Sequence, residues 1–116
     1  MSAVYPRQGE VYLVKALKSI GDTKKRPVVI ISMNIRNELS NTAIAVPFTS
    51  NLRDNKSPTR ILIPAGEGGL DADSLAVCDS ILAVRKSYLE RGPYGMLSAE
   101  SISRIQTGIQ IAIGIY

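Results

Sequence analysis

The apolar residues of this chain are gathered into short runs dominated by β-branched side chains. Val11-Tyr12-Leu13-Val14, Val28-Val29-Ile30-Ile31-Ser32 and the stretches 42–48, 60–64 and 74–84 are separated by polar or glycine-dense loops. Branched and aromatic residues pack well on a pleated surface, so these runs predict five strands. The first run is apolar at successive positions, and a strand of that kind is buried on both faces. Arg26-Pro27 leads into the second run, and Pro27, which has no N–H, is expected at that strand's first position. Five short strands in 116 residues imply a small, strongly bent sheet or barrel in a single domain spanning 1–116. Residues 15–25 read as a flexible polar loop, and 34–41 as an ambiguous polar segment with room for one helical turn.

The end of the chain carries two conflicting periods. Ser98-Ala99-Glu100 has the chemistry of a helix start, with Ser as N-cap and an acid in the first turn. Ile102, Ile105, Ile109 and Ile113 then fall on one helical stripe. Ile109, Ile111, Ile113 and Ile115 also alternate as a strand would, and Gly108 and Gly114 weaken a helix. The residues predict helix over 98–108 and leave 109–116 open.

Composition narrows the chemistry. The chain holds one Cys and no His. It therefore has no internal disulfide, no Cys-based zinc cage, no histidine triad and no His-ligated metal. Catalysis would fall to Arg, Lys, Asp, Glu, Ser, Thr or Tyr, and no metal or cofactor site is expected. Residues 1–60 carry ten Lys/Arg against four Asp/Glu, a net +6, whereas 61–116 carry four against six, a net −2. That asymmetry fits a surface facing a polyanion such as nucleic acid, and equally a set of solvated loops. The first 20 residues show no signal-peptide pattern and no apolar run is long enough to span a membrane, so a soluble cytoplasmic protein is expected.

Most motif-like features have plain readings. Gly66-Glu67-Gly68-Gly69 lacks the Lys-Ser/Thr ending of a phosphate loop and reads as a turn joining two strands. Cys78, among Ala76, Val77 and Ile81, reads as a buried, inert thiol. Asp71 and Asp73 follow the glycine turn and read as solvated. Two constellations carry more. Lys24-Lys25-Arg26 stands at the mouth of a buried strand, where a guanidinium held by a rigid element suits bidentate phosphate contact. Thr49-Ser50-Asn51 places three polar side chains just after another strand. Neighbouring strand ends would bring the two together.

The chain resembles the MazF/PemK (Kid) family of toxin endoribonucleases along nearly its full length. The matching segments are Gly-Glu-Val-Tyr-Leu-Val at 9–14, Lys-Arg-Pro-Val-Val-Ile-Ile-Ser at 25–32, Val-Pro-Phe-Thr-Ser-Asn-Leu at 46–52, Ile-Pro-Ala-Gly-Glu-Gly-Gly-Leu at 63–70, Asp-Ser at 73–74 and Leu-Ser-Ala-Glu-Ser-Ile at 97–102. The resemblance implies an SH3-like barrel with a C-terminal helix, and it favours helix for the ambiguous last segment. It also implies a homodimer that cuts single-stranded RNA and is neutralised by a cognate antitoxin. The family's catalytic Arg matches Arg26, its catalytic Thr matches Thr49, and the Asp of Kid-like members matches Asp79. Lys24, Lys25, Ser50, Asn51 and Ser80 are the implied RNA-binding positions. The chain departs from the pattern where relatives carry Gln-Ile-Arg-Thr, since Ser80-Ile81-Leu82-Ala83 stands there, and Val77 replaces a Kid-type Arg.

Such a reaction needs neither His nor metal. RNA supplies its own nucleophile, the 2′-hydroxyl, and the protein aligns the strand and stabilises charge on the phosphorane. Arg26 fits the second task and Thr49 offers a hydroxyl to the phosphate or the 2′-OH. An Arg with a pKa above about 12 is a poor general acid, so Asp79 is the candidate base. The alternative in another class is a CcdB-like toxin that shares the barrel and binds DNA gyrase without catalysis. A passive single-strand binder is poorly supported by five Tyr and one Phe.

Overall fold

A computed structural model describes residues 4–15 and 25–115. Seven strands and two helices follow in the order β1 (Glu10–Val14), β2 (Arg26–Ile30), α1 (Asn34–Leu39), β3 (Thr42–Thr49), β4 (Arg60–Ile63), β5 (Ser74–Val77), β6 (Leu82–Arg85), β7 (Gly95–Met96) and α2 (Ala99–Ala112). The sheet runs β4-β5-β3-β2-β1-β7, with β6 also pairing with β3. This is the expected bent, mainly β half-barrel with a C-terminal helix.

The eight-residue β3 is the spine. One edge pairs antiparallel with β2, setting Val28 opposite Pro47 and Ile30 opposite Ala45. The other edge is shared, with β6 along Thr42–Ala45 and β5 at Phe48 and Thr49. The stretch 74–84, expected as one strand, is therefore two. Ser80 N–H closes a turn onto the Val77 carbonyl at 3.1 Å, and Cys78 N–H extends the β4–β5 pairing by bonding the Thr59 carbonyl at 2.9 Å. A bent β3 cannot hold one straight partner along its whole edge, and the polar Asp79-Ser80 pair supplies the break. Pro27 is the second residue of β2, opposite Leu13, one place later than expected. The two-residue β7 has no signal in the sequence at all.

Period-2 alternation distributes the strands over two cores. Val11, Val29, Val46, Phe48, Ile63, Leu70, Ala76 and Cys78 form one core with Leu97, just before α2, and Ile105 of α2. On the opposite face, Tyr12, Val28, Ile30, Ala43, Ala45 and Val84 form the second. This is why β1 and β2 are apolar at successive positions. Burial and the Glu10 carboxylate push the Tyr12 phenol up to about 12.

Segment 34–41 resolves into α1 over Asn34–Leu39, and the last segment into α2 as far as Ala112, followed by a turn at Ile113 and Gly114. In α1 the carboxamide of fully buried Asn37 donates to the Pro6 and Ser32 carbonyls at 3.0 and 2.9 Å. The side-chain oxygen of Ser98 caps α2, accepting from Ser101 N–H at 3.1 Å. Ile105 is fully buried, with Ile102 and Ile109 packed beside it. The helix carries on past Gly108 to Ala112, because Gly108 lets it close on the sheet. A Cβ there would lie 2.8 Å from the Cys78 sulfur.

Gly108→Ala should therefore destabilise the protein, even though alanine is the better helix former. Overpacking costs about 1–3 kcal/mol against a propensity gain of about 1 kcal/mol. Cys78→Ala in the same chain should recover part of the loss, and urea unfolding of the two single variants and the double variant measures that coupling. Strictly additive effects would show that the contact carries no energy.

Candidate active site

The β2–β3 register decides where the charged ends of these strands meet. Extending it two residues beyond the Val28–Pro47 pair sets Arg26 opposite Thr49. Both line a groove of about 480 Å³, together with Lys25, Ser50 and an apolar floor that includes Val11, Leu13 and Phe48. The structure thus brings four of the expected site residues, Lys25, Arg26, Thr49 and Ser50, to one place. Thr49 Oγ1 accepts from Asn51 N–H at 3.2 Å, and Asn51 Oδ1 accepts from Arg53 N–H at 3.1 Å. These two local turns fix the chain as it leaves β3. The Thr49 hydroxyl keeps its own proton to donate. Asn51 thus shapes this wall through its backbone.

Lys25 is engaged elsewhere. Its ammonium pairs with Glu90 at 2.6 Å. Hydrogen bonding to Glu90 holds the Lys25 pKa above its ordinary value, and Lys25 holds the Glu90 carboxyl below its own. Lys24 lies outside the described residues.

Asp79 and Ser80 are not brought to this groove within the protomer. They sit at the exposed turn after β5, where Asp79 Oδ1 pairs with Arg60 Nη1 at 2.5 Å. Thr59 Oγ1 lies 3.5 Å from the second carboxylate oxygen. The adjacent Cys78 is fully buried, and burial followed by the Asp79 charge pushes its thiol up to about 11. It is the inert thiol the sequence predicts.

The far wall went unrecognised in the sequence. It consists of Gly69, Leu70, Asp71 and Ala72 from the turn before β5, and Tyr94 from the turn before β7. Asp71 and Asp73 look equivalent in sequence but are not. Asp73 Oδ1 accepts from Ala65 N–H at 2.8 Å and ties the turn shut, whereas Asp71 is exposed on the groove. Backbone packs directly on backbone here. A Cβ on Gly69 would lie 2.6 Å from the Tyr94 carbonyl oxygen, and one on Gly95 2.5 Å from the Gly68 carbonyl carbon. Tyr94 N–H also donates to the Val11 carbonyl at 2.9 Å. Among the described residues, no group of three Cys, Asp or Glu side chains could hold a metal ion, and no helix is long and apolar enough to cross a membrane.

A sequence model of the PemK-like, MazF-like toxins of type II toxin-antitoxin systems matches residues 7–113. The chain belongs to this family. It is 31% identical to the endoribonuclease MazF of Staphylococcus saprophyticus, over 95% of this chain and 92% of that one. It is 27% identical to the endoribonuclease EndoA of Bacillus subtilis, over 94% and 95%. Solved folds agree. An endoribonuclease in complex with its cognate antitoxin from a mycobacterial species superposes with a TM-score of 0.79 at 24% identity, covering 96% of this chain and 97% of that one. A MazE-MazF structure from Deinococcus radiodurans gives 0.78 at 15% identity, covering 98% and 100%.

One contact links the groove wall of this family member to its helix. Glu67, in the glycine turn, accepts from the Ser98 backbone N–H and hydroxyl at 3.2 and 3.3 Å. Hydrogen bonding from Ser101, with these contacts, holds the Glu67 carboxyl below its ordinary value of 4.5. A depressed carboxylate stabilises the fold above its ordinary pKa, and the contribution disappears as the pH falls through the lowered value. Glu67→Gln should therefore lower the melting temperature at pH 7 by no more than about 4 °C, since the pair is solvent-screened. The difference from wild type should shrink as pH falls below 4.5. A gap that persists unchanged at pH 2–3 would mean that the charge is not what Glu67 contributes.

Proposed function

We propose that this chain is the endoribonuclease toxin of a type II toxin-antitoxin pair, cutting single-stranded RNA in the groove between Arg26 and Thr49. The observation that carries this reading is the meeting of those two residues on adjacent strand ends in a chain of this family. The 2′-oxygen bonds to the neighbouring phosphorus, and the bond from phosphorus to the 5′-oxygen breaks. The 2′-proton passes to water and the leaving 5′-oxygen takes one from water, so the step consumes and releases no net proton. Arg26 offers a cationic fork to the equatorial oxygens of the phosphorane, and Thr49 donates to the phosphate or orients the 2′-hydroxyl. Ser50 positions the RNA backbone, and Asn51 holds the turn that carries Ser50. Lys25 must exchange Glu90 for a phosphate to contribute. The ion pair of Asp79 with Arg60 away from the groove argues against the expected role of Asp79 as base within one protomer, and Ser80 shares that distance.

Arg26→Ala should fold and lose at least about 100-fold in cleavage rate, the scale for one preorganised charge-stabilising donor. Arg26→Lys should be poor as well, because an ammonium cannot reproduce the fork. Thr49→Ser should retain more activity than Thr49→Ala. Products mapped on a long RNA in EDTA should end in 2′,3′-cyclic phosphate and 5′-hydroxyl. Full activity of a folded Arg26→Ala protein, or 5′-phosphate ends, would overturn the mechanism. A protein that leaves RNA intact and binds DNA gyrase would restore the CcdB-like alternative.

Two protein partners belong to this reading. The mycobacterial endoribonuclease was solved in complex with its cognate antitoxin and the Deinococcus protein as a MazE-MazF assembly, which supports a cognate antitoxin here. A second copy is supported by apolar surface around the end of α2. Ile113 and Ile115 are 61% and 59% exposed, apolar surface that a second copy would cover. Sedimentation at micromolar concentration should give a homodimer, and a 12.5 kDa monomer would remove it from the proposal.

A further inference from the structure

The two walls of the groove differ in charge and in shape. One presents Arg26, Thr49 and Ser50, which attract phosphate. The other presents Asp71, whose carboxylate repels it, and Tyr94, a residue 53% exposed. A nucleotide in this groove is therefore oriented, with its phosphate toward β2 and β3 and its base toward the opposite turn. The volume of about 480 Å³ falls in the range of clefts that hold small organic groups.

We propose that Tyr94 and Asp71 form a guanine-reading subsite next to the scissile phosphate. This rests on the groove being the RNA-cleaving site. Single-stranded RNA is read by stacking its splayed bases on aromatic rings and by hydrogen bonds along their edges. Tyr94 is fit for stacking because its backbone cannot move: its carbonyl is pressed against Gly69 and its N–H is bonded to Val11. An ionised Asp is an acceptor only, with two oxygens side by side. Guanine alone among the four RNA bases offers two adjacent donors on one edge, N1–H and the N2 amino group. Uracil sets its single donor between two carbonyls. Adenine and cytosine set their amino group beside a ring nitrogen lone pair that would face the carboxylate. A lone pair set against the carboxylate is repelled, and a base stacked on Tyr94 shields that mismatch from water, which is how polar sites select.

The test uses 2′-deoxy tetranucleotides, which lack the nucleophile and are not cut. Each carries guanine, adenine or cytosine at one of its four positions in a thymine background, and binding is read by fluorescence anisotropy in EDTA. Wild type should bind one guanine-containing tetranucleotide at least about 10-fold more tightly than its adenine, cytosine and thymine counterparts, the scale of one good two-point base contact. Asp71→Asn, with Asp71→Ser as a second variant, should bring the four within about threefold while keeping the wild-type melting temperature. Tyr94→Ala should weaken all of them by about 10-fold or more, as loss of one stacking platform does. On RNA, wild-type cut sites should share a guanine at a fixed offset, and Asp71→Asn should lose it. Equal binding of the four bases by wild type would overturn the subsite, as would an unchanged guanine preference in Asp71→Asn. So would a uniform fall in kcat in that variant at unchanged preference, because that is the mark of proton transfer. Selective binding by a wild-type protein that cuts no RNA would instead overturn the endoribonuclease reading and leave the subsite standing.

Discussion

The pairing of β2 with β3 is the constraint on which the rest of this molecule depends. It sets Val28 against Pro47 and Val29 against Val46. It also sorts alternate residues into the two cores on either side of the sheet. A slip of one residue would turn every side chain of one strand to the wrong face. With both faces buried, no slipped register is tolerable. The same register carries Arg26 to Thr49. The site is thus a by-product of core packing: hydrophobic burial along three residue pairs fixes where a guanidinium and a hydroxyl meet beyond the end of the ladder.

What the sequence disclosed and what it concealed follow from the range of the interactions involved. Val28, Val29 and Ile30 announce a buried strand by composition alone, and polar residues just past a strand's end stay near that end. Arg26 and Thr49 were legible for this reason, and the neighbourhood of the two strands needed only an antiparallel pairing. The β5–β6 break was not legible, because the bend of β3 that forces it is a property of the assembled sheet. The position of Asp79 followed from that break, through its pair with Arg60 on another strand. Tyr94 gave no signal. It reaches the groove through β7, a two-residue strand held by contacts with residues more than 25 positions away in the chain. The open end of the last segment shows the converse. Ile109 to Ile115 satisfy both periods; the fully buried Ile105, with Gly108 against Cys78, decides for helix as far as Ala112, and the chain turns at Ile113 and Gly114.

In a chain without histidine, the phosphoryl chemistry proposed above falls to position and fixed charge. Lys25 is held in an ion pair with Glu90, and Arg26 stands on a strand end, lining the groove with a hydroxyl anchored by the turn at Asn51. A flexible ammonium contributes diffuse attraction, and a fork on a strand end contributes geometry. Phosphate transition states reward the latter, because their charge is spread over several oxygens in a fixed arrangement.

The glycine contacts behind the far wall have a consequence for how this protein can diverge. Where Gly95 lies on Gly68, and Gly69 on the Tyr94 carbonyl, there is no space for any side chain. Drift at these positions is closed. Asp71, Ala72 and the ring of Tyr94 project from that immovable backbone into open space, and exchanging them removes no core contact. Heritable variation in this part of the molecule is thereby channelled onto the surface a ligand would touch, so descendants of this chain can alter what they select while the scaffold stays as it is.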